Sequence, residues 1–113
     1  MRVIQRPRNS GKTTMLLHYM ELVPEAILVV GREDTAKRVR KFARDLGLGI
    51  ADGRIYGMVN VREIICTPEC VVLIDNADYI IKGWPKRGYE LIKHANIVTI
   101  TKEYLGKNKN GSG

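Results

Sequence analysis

The sequence predicts an α/β fold, a three-layer sandwich built on a mostly parallel sheet of about four strands. Short β-prone runs alternate with helix-patterned segments along the chain, and two of those runs, Ala26-Ile-Leu-Val-Val and Val71-Val-Leu-Ile, are apolar at every position. A strand wetted on one face alternates, whereas a strand apolar throughout is covered on both faces, as a parallel sheet with helices on either side requires. Size sets the other bound. At 113 residues the chain has room for one layered core, since a domain of this size hides only about two-thirds of its unfolded surface. Residues 1–105 are therefore expected to form one domain, and residues 106–113, which lack apolar side chains, a disordered tail.

In chain order, residues 2–5 form a β-prone run that Pro7 ends by forcing Arg6 toward extended geometry. Leu16, Leu17 and Met20 lie at helical spacing in residues 13–22, and Pro24 closes that helix. The apolar run from Ala26 to Val30 follows and stops at Gly31. Residues 33–46 place Ala36, Val39, Ala43 and Leu46 on one stripe, with acids at the start and Gly47 as the C-terminal cap. Gly49, Gly53 and Gly57 mark an irregular stretch. Asn60-Val61-Arg62-Glu63 has the spacing of a capping box and opens a short helix that Pro68 must end. The run from Val71 ends on Asp75; after Gly83-Trp84-Pro85 a helix over residues 86–95 leads to a last strand, Ile97-Val-Thr-Ile-Thr.

Lys and Arg number 19 against 12 Asp and Glu, a net charge of +7, and such an excess raises the local concentration of phosphate polyanions. The helix face of Lys37, Arg38, Arg40, Lys41 and Arg44, with Arg32 beside it, suits either a nucleic acid backbone or plain solvent. Trp84, Tyr79 and Tyr89 suit either base stacking or cover for the sheet edge. No apolar run approaches the roughly 20 residues that cross a bilayer, and the N-terminus becomes polar too early for a signal peptide, so a cytoplasmic, membrane-free protein is expected. Cys66 and Cys70 have no second pair nearby and read as reduced, half-buried thiols. His18 and His94 lack metal-ligand spacing.

Ligands of such sheets bind where strand C-termini meet helix N-termini. The first of these junctions reads Arg6-Pro7-Arg8-Asn9-Ser10-Gly11-Lys12-Thr13-Thr14. A Gly there lets backbone N–H groups approach phosphate oxygens, a Lys reaches the β and γ phosphates, and a Thr hydroxyl coordinates Mg²⁺. In these residues the chain resembles P-loop NTPases, although Arg6 stands where the motif Gly-x4-Gly-Lys-Thr has its first Gly. Val71-Val72-Leu73-Ile74-Asp75 is similar to a Walker B strand, whose terminal carboxylate holds Mg²⁺ through water. The distance from Lys12 leaves room for one intervening strand and helix, as in the additional-strand division of the class. Arg8-Asn9-Ser10-Gly11-Lys12-Thr13 further resembles the deviant Walker A of phage terminase ATPases, and Asp75-Asn76-Ala77-Asp78 the Asp-Glu-Ala-Asp element of helicases.

These resemblances span Arg6 to Thr101. They imply a P-loop NTPase-like fold that binds ATP and Mg²⁺, with Arg8 to Thr14 on the phosphates and Thr13 and Asp75 on the metal. Lys12 and Arg8 would stabilise charge, and Thr99 or Thr101 would be the polar sensor on the strand next to Walker B. The implied partners are DNA or RNA, a homo-oligomer, or a larger phage protein. The strand that usually follows the sensor is missing, as are the helicase arginine motifs. Asn76 occupies the position of the catalytic Glu, and an amide takes no proton; Asp78 and Glu103 are the nearest substitutes, Asp78 being equally suited to cap a helix. Three readings follow: an ATPase of the helicase and terminase type working on or with nucleic acid, a nucleotide-binding switch with little hydrolysis, and, with only Lys82, Lys86 and Arg87 to supply a lid, a nucleoside or nucleotide kinase.

Overall fold

The computed structural model describes residues 1–6, 11–59 and 70–101. They form five strands and four α-helices in the order β1 (Arg2–Arg6), α1 (Lys12–Leu22), β2 (Ala26–Val30), α2 (Glu33–Asp45), β3 (Ile55–Gly57), β4 (Val71–Ile74), α3 (Ala77–Gly83), α4 (Pro85–Lys93) and β5 (Ile97–Thr101). The sheet is parallel throughout, with spatial order β1-β5-β4-β2-β3.

That order explains where the helices lie. Passing from β1 to β2 and from β2 to β3 moves the chain one way across the sheet, and passing from β4 to β5 moves it back. Right-handed crossovers then put α1 and α2 on one face and α3 and α4 on the other. Two apolar clusters match. Leu16, Leu17 and Met20 of α1 and Ala36, Val39 and Ala43 of α2 pack on Leu28, Val30 and Leu73. Ala77 and Ile80 of α3 and Leu91 of α4 pack on Val29, Val72, Ile74 and Val98. Successive residues of β2 and β4 thus point into different clusters, which is why neither run alternates with polar residues.

Two expectations are corrected. The sheet has five strands, not about four: β3, within the stretch read as irregular, adds three residues to the outer edge of β2. The last position of β3 calls for glycine, because a Cβ on Gly57 would lie 2.8 Å from the backbone nitrogen of Glu33. The second correction is the start of α3, the helix after β4 that Asp78 was suited to cap. Asn76, not Asp78, is its N-cap, and Asp78 lies in its first turn. The remaining described elements fall within two residues of the expected bounds. Gly47 closes α2 as expected, at φ 75°, with the Leu48 N–H donating to the Ala43 carbonyl. The expected helix after Asn60, Cys66 and the tail lie outside the described residues.

Arg54, which the sequence did not single out, ties the lower end of the first layer together. Its guanidinium donates to the carbonyls of Met20 and Val23 at the end of α1, both at 2.8 Å, and of Ala26 at the start of β2, at 3.0 Å. The last carbonyls of a helix have no partner within it, and Arg54 supplies one.

Candidate functional site

Gly11 precedes α1 at φ 83°, a conformation that costs a residue with a Cβ about 1–2 kcal/mol. Nothing lies within 4 Å of the position a Cβ would take, so it is the backbone turn, and not lack of room, that calls for glycine. The turn brings the first residues of α1 over the C-terminal end of β4. There the Thr13 hydroxyl donates to Asp75 Oδ2 at 2.6 Å, joining residues 62 positions apart.

Asp75 is 4% exposed, and its other oxygen, Oδ1, accepts from the Thr99 hydroxyl at 2.6 Å. Thr99 is fully buried, and its oxygen in turn accepts the Asn76 N–H at 2.8 Å. The carboxylate is therefore clamped between two hydroxyls, one from the helix and one from β5. Desolvation makes such a group costly unless its hydrogen bonds are met, and here both oxygens are served. The resemblance makes Thr99 a candidate polar sensor on the strand next to Asp75, and its hydroxyl joins Asp75 to the Asn76 backbone. Thr101, the other sensor candidate, is the last residue of β5.

Lys12 opens α1 and is 6% exposed. Thr14 is half-buried on the same turn. Arg8, Asn9, Ser10 and Glu103 lie outside the described residues. Asn76 follows Asp75 at φ 56° and ψ 59°, left-handed geometry that Asn tolerates better than most residues. Its carbonyl accepts from the N–H groups of Tyr79 and Ile80, which starts α3. The Asp78 Oδ1 is buried without a hydrogen-bond partner, and Asp78 lines a cavity of about 300 Å³ with Tyr79, Ile81 and Lys82.

Among the described residues no three His, Cys, Asp or Glu side chains gather as a metal cage. Thr13 and Asp75 offer hard oxygens at the mouth of a helix N-terminus. A Mg²⁺ ion, which keeps several waters and takes its other ligands from substrate phosphates, suits such a sparse donor set. A thiol- or imidazole-seeking metal does not.

Of the basic face of α2, Arg40 is engaged within the fold, while Lys41 and Arg44 make exposed pairs. Arg40 donates to Glu33 at 3.0 Å and to the carbonyls of Asp52 and Ile55, so it fastens α2 to β3. Arg44 grips both oxygens of Asp52, and Lys41 pairs with Asp45. The hydrogen bond from Arg40 holds the Glu33 carboxyl below its ordinary value; burial opposes it as the next largest effect, and the Arg40 charge, a Gly57 backbone hydrogen bond and the Lys37 charge lower it further. Lys37, Arg38, Lys41 and Arg44 are all exposed on this helix, and among the described residues Lys37 and Arg38 make no ion pair with an acid. No described helix is long and apolar enough to cross a membrane.

Comparison with protein-family models, with curated proteins and with solved structures gives no match for this chain.

Proposed function

We propose that the chain is a nucleotide-binding protein of P-loop type, with ATP and Mg²⁺ at the junction of α1 and β4, and that it is an ATPase working on or with nucleic acid. The observation that carries this reading is the Thr13 to Asp75 hydrogen bond at 2.6 Å. Two sequence segments read separately, one as a phosphate loop and one as a metal-holding strand end, meet at one point on the C-terminal edge of a parallel sheet. The loop N–H groups and the helix N-terminus would hold phosphate. Lys12 would neutralise its charge, and Thr13 with Asp75 would orient a hydrated Mg²⁺. Support also comes from strand order: β5 lies between the strand that leads into the loop and the strand that ends on Asp75, the interposed strand from which the additional-strand division takes its name.

Asn76 favours a second reading, a nucleotide-dependent switch with little hydrolysis, because an amide cannot act as the base for the attacking water. Asp78, whose buried Oδ1 has no hydrogen-bond partner, is the nearest described carboxylate along the chain that could take the role. ATP turnover measured with and without single-stranded and duplex DNA, with Lys12→Ala as blank, separates the readings. Stimulation by DNA supports the ATPase, tight binding without turnover supports the switch, and absence of both binding and turnover contradicts each.

A further inference from the structure

On the far side of Asp75 from β5, strands β4 and β2 end in a cavity of about 440 Å³. Topology opens it. The two strands are parallel neighbours, yet α2 leaves β2 onto one face of the sheet and α3 leaves β4 onto the other. Diverging connections leave a crevice at the strand C-termini, the place where open parallel sheets take their ligands. The volume falls within the range of small-ligand sites, roughly 300–1,000 Å³.

Its walls differ in character. Tyr79 and Trp84 present aromatic rings, Arg32 and Lys82 cationic heads, and Asp75 with Asn76 forms the side shared with the phosphate junction. The Arg87 guanidinium stands over the indole, 5.7 Å from its centre, and helps to fix it. Arg32 pairs with Asp34 at 3.1 Å, but both side chains are mostly exposed, so the pair is weak and easily exchanged for a phosphate. A ring and an anion are thus both provided for.

We infer that this cavity binds a nucleoside 5′-monophosphate unit, either a free mononucleotide or one residue of a single strand, with its base against Trp84 and Tyr79 and its phosphate at Arg32 and Lys82. Base stacking on aromatic rings tolerates every base, and guanidinium and ammonium groups hold phosphate by charge-assisted hydrogen bonds. The site goes beyond the function proposed above and stands apart from it, since its ring and cation residues take no part in the phosphate junction.

Trp84 is the chain's single tryptophan, so indole fluorescence reports on the cavity directly. The full chain is titrated with AMP, with oligothymidylate, and with adenosine and inorganic phosphate as half-ligands. Saturable quenching is expected with the ring-bearing phosphates, with adenosine on the order of tenfold weaker and inorganic phosphate without effect. Tighter binding of the oligonucleotide than of AMP identifies a strand as the source, and the reverse a free nucleotide. Tyr79→Ala and Lys82→Ala should each weaken binding by about tenfold, with Lys82→Arg restoring it and Thr13→Ala leaving it unchanged. Both Tyr79 and Lys82 are exposed, and a cooperative melt checks that each variant is folded. Absence of saturable quenching by AMP and oligonucleotide alike overturns the site, as does equal affinity in the Tyr79 and Lys82 variants. Loss of quenching in Thr13→Ala alone would assign the signal to the phosphate junction and also overturn it.

Discussion

Asn76 sits at φ 56°, and its backbone both reaches Thr99 and starts α3. Its identity thus answers to conformation as well as to chemistry. Replacing it with Gly should cost little stability, whereas Asn76→Glu should cost about 1–2 kcal/mol by denaturant unfolding, since a longer side chain gains nothing from the left-handed geometry. If the amide stands where a base belongs, Asn76→Glu should still raise turnover per folded molecule by about tenfold or more; unchanged turnover in an active enzyme would show that another group supplies the base. Thr99 offers a cleaner dissection. Thr99→Val keeps the shape but leaves Asp75 Oδ1 without its hydroxyl donor and the Asn76 N–H without its acceptor, and should cost about 1–3 kcal/mol. Thr99→Ser should recover most of that loss, and equal stability of the Val and Ser variants would show that the clamp on Asp75 is energetically idle.

At the scale of elements, α2 and β3 are fastened by Arg40, and the fastening is pH-dependent. Because the Arg40 hydrogen bond lowers the Glu33 pKa in the folded chain, the pair's contribution is complete above the unfolded Glu value of about 4.3 and fades as pH falls through the lower folded value. Stability of the wild type should therefore fall more steeply below about pH 4 than that of Glu33→Gln, which lacks the titrating group; parallel acid profiles would contradict this. The same elements show what a sequence conveys. Strands β2 and β4 could be read to the residue because burial on both faces leaves no polar position to blur them. Strand β3 could not, since three residues paired along one edge carry no period and end in Gly57. The extent of helix α3 was hidden for a similar reason: it has seven residues, of which only Ala77 and Ile80 are buried. Arg54 gave no signal, because its three carbonyl partners come from α1 and β2, some thirty residues away along the chain.

For the molecule as a whole, the sequence named both halves of the candidate site through Gly11-Lys12-Thr13 and the apolar run ending at Asp75, since the chemistry of each is local. The resemblance put Thr13 and Asp75 on one metal, but the residue pattern alone could not supply the strand order that brings them together, or the employment of Arg40 between α2 and β3. That employment changes what the +7 charge predicts. If nucleic acid binds along α2, Lys37→Ala with Arg38→Ala should lower the salt dependence of binding, at roughly 0.9 in the logarithmic slope for each lost phosphate contact on duplex. Arg40→Ala should instead lower stability, and an unchanged slope in the double variant would exclude this helix as the contact surface.

The most direct measurement of the central claim is calorimetric titration of the chain with Mg-ATP, repeated in EDTA and with Lys12→Ala after a cooperative melt has shown the variant to be folded. Saturable binding that requires Mg²⁺ and is lost in the variant is expected. Equal affinity with and without Lys12, or no binding by the wild type, would contradict it.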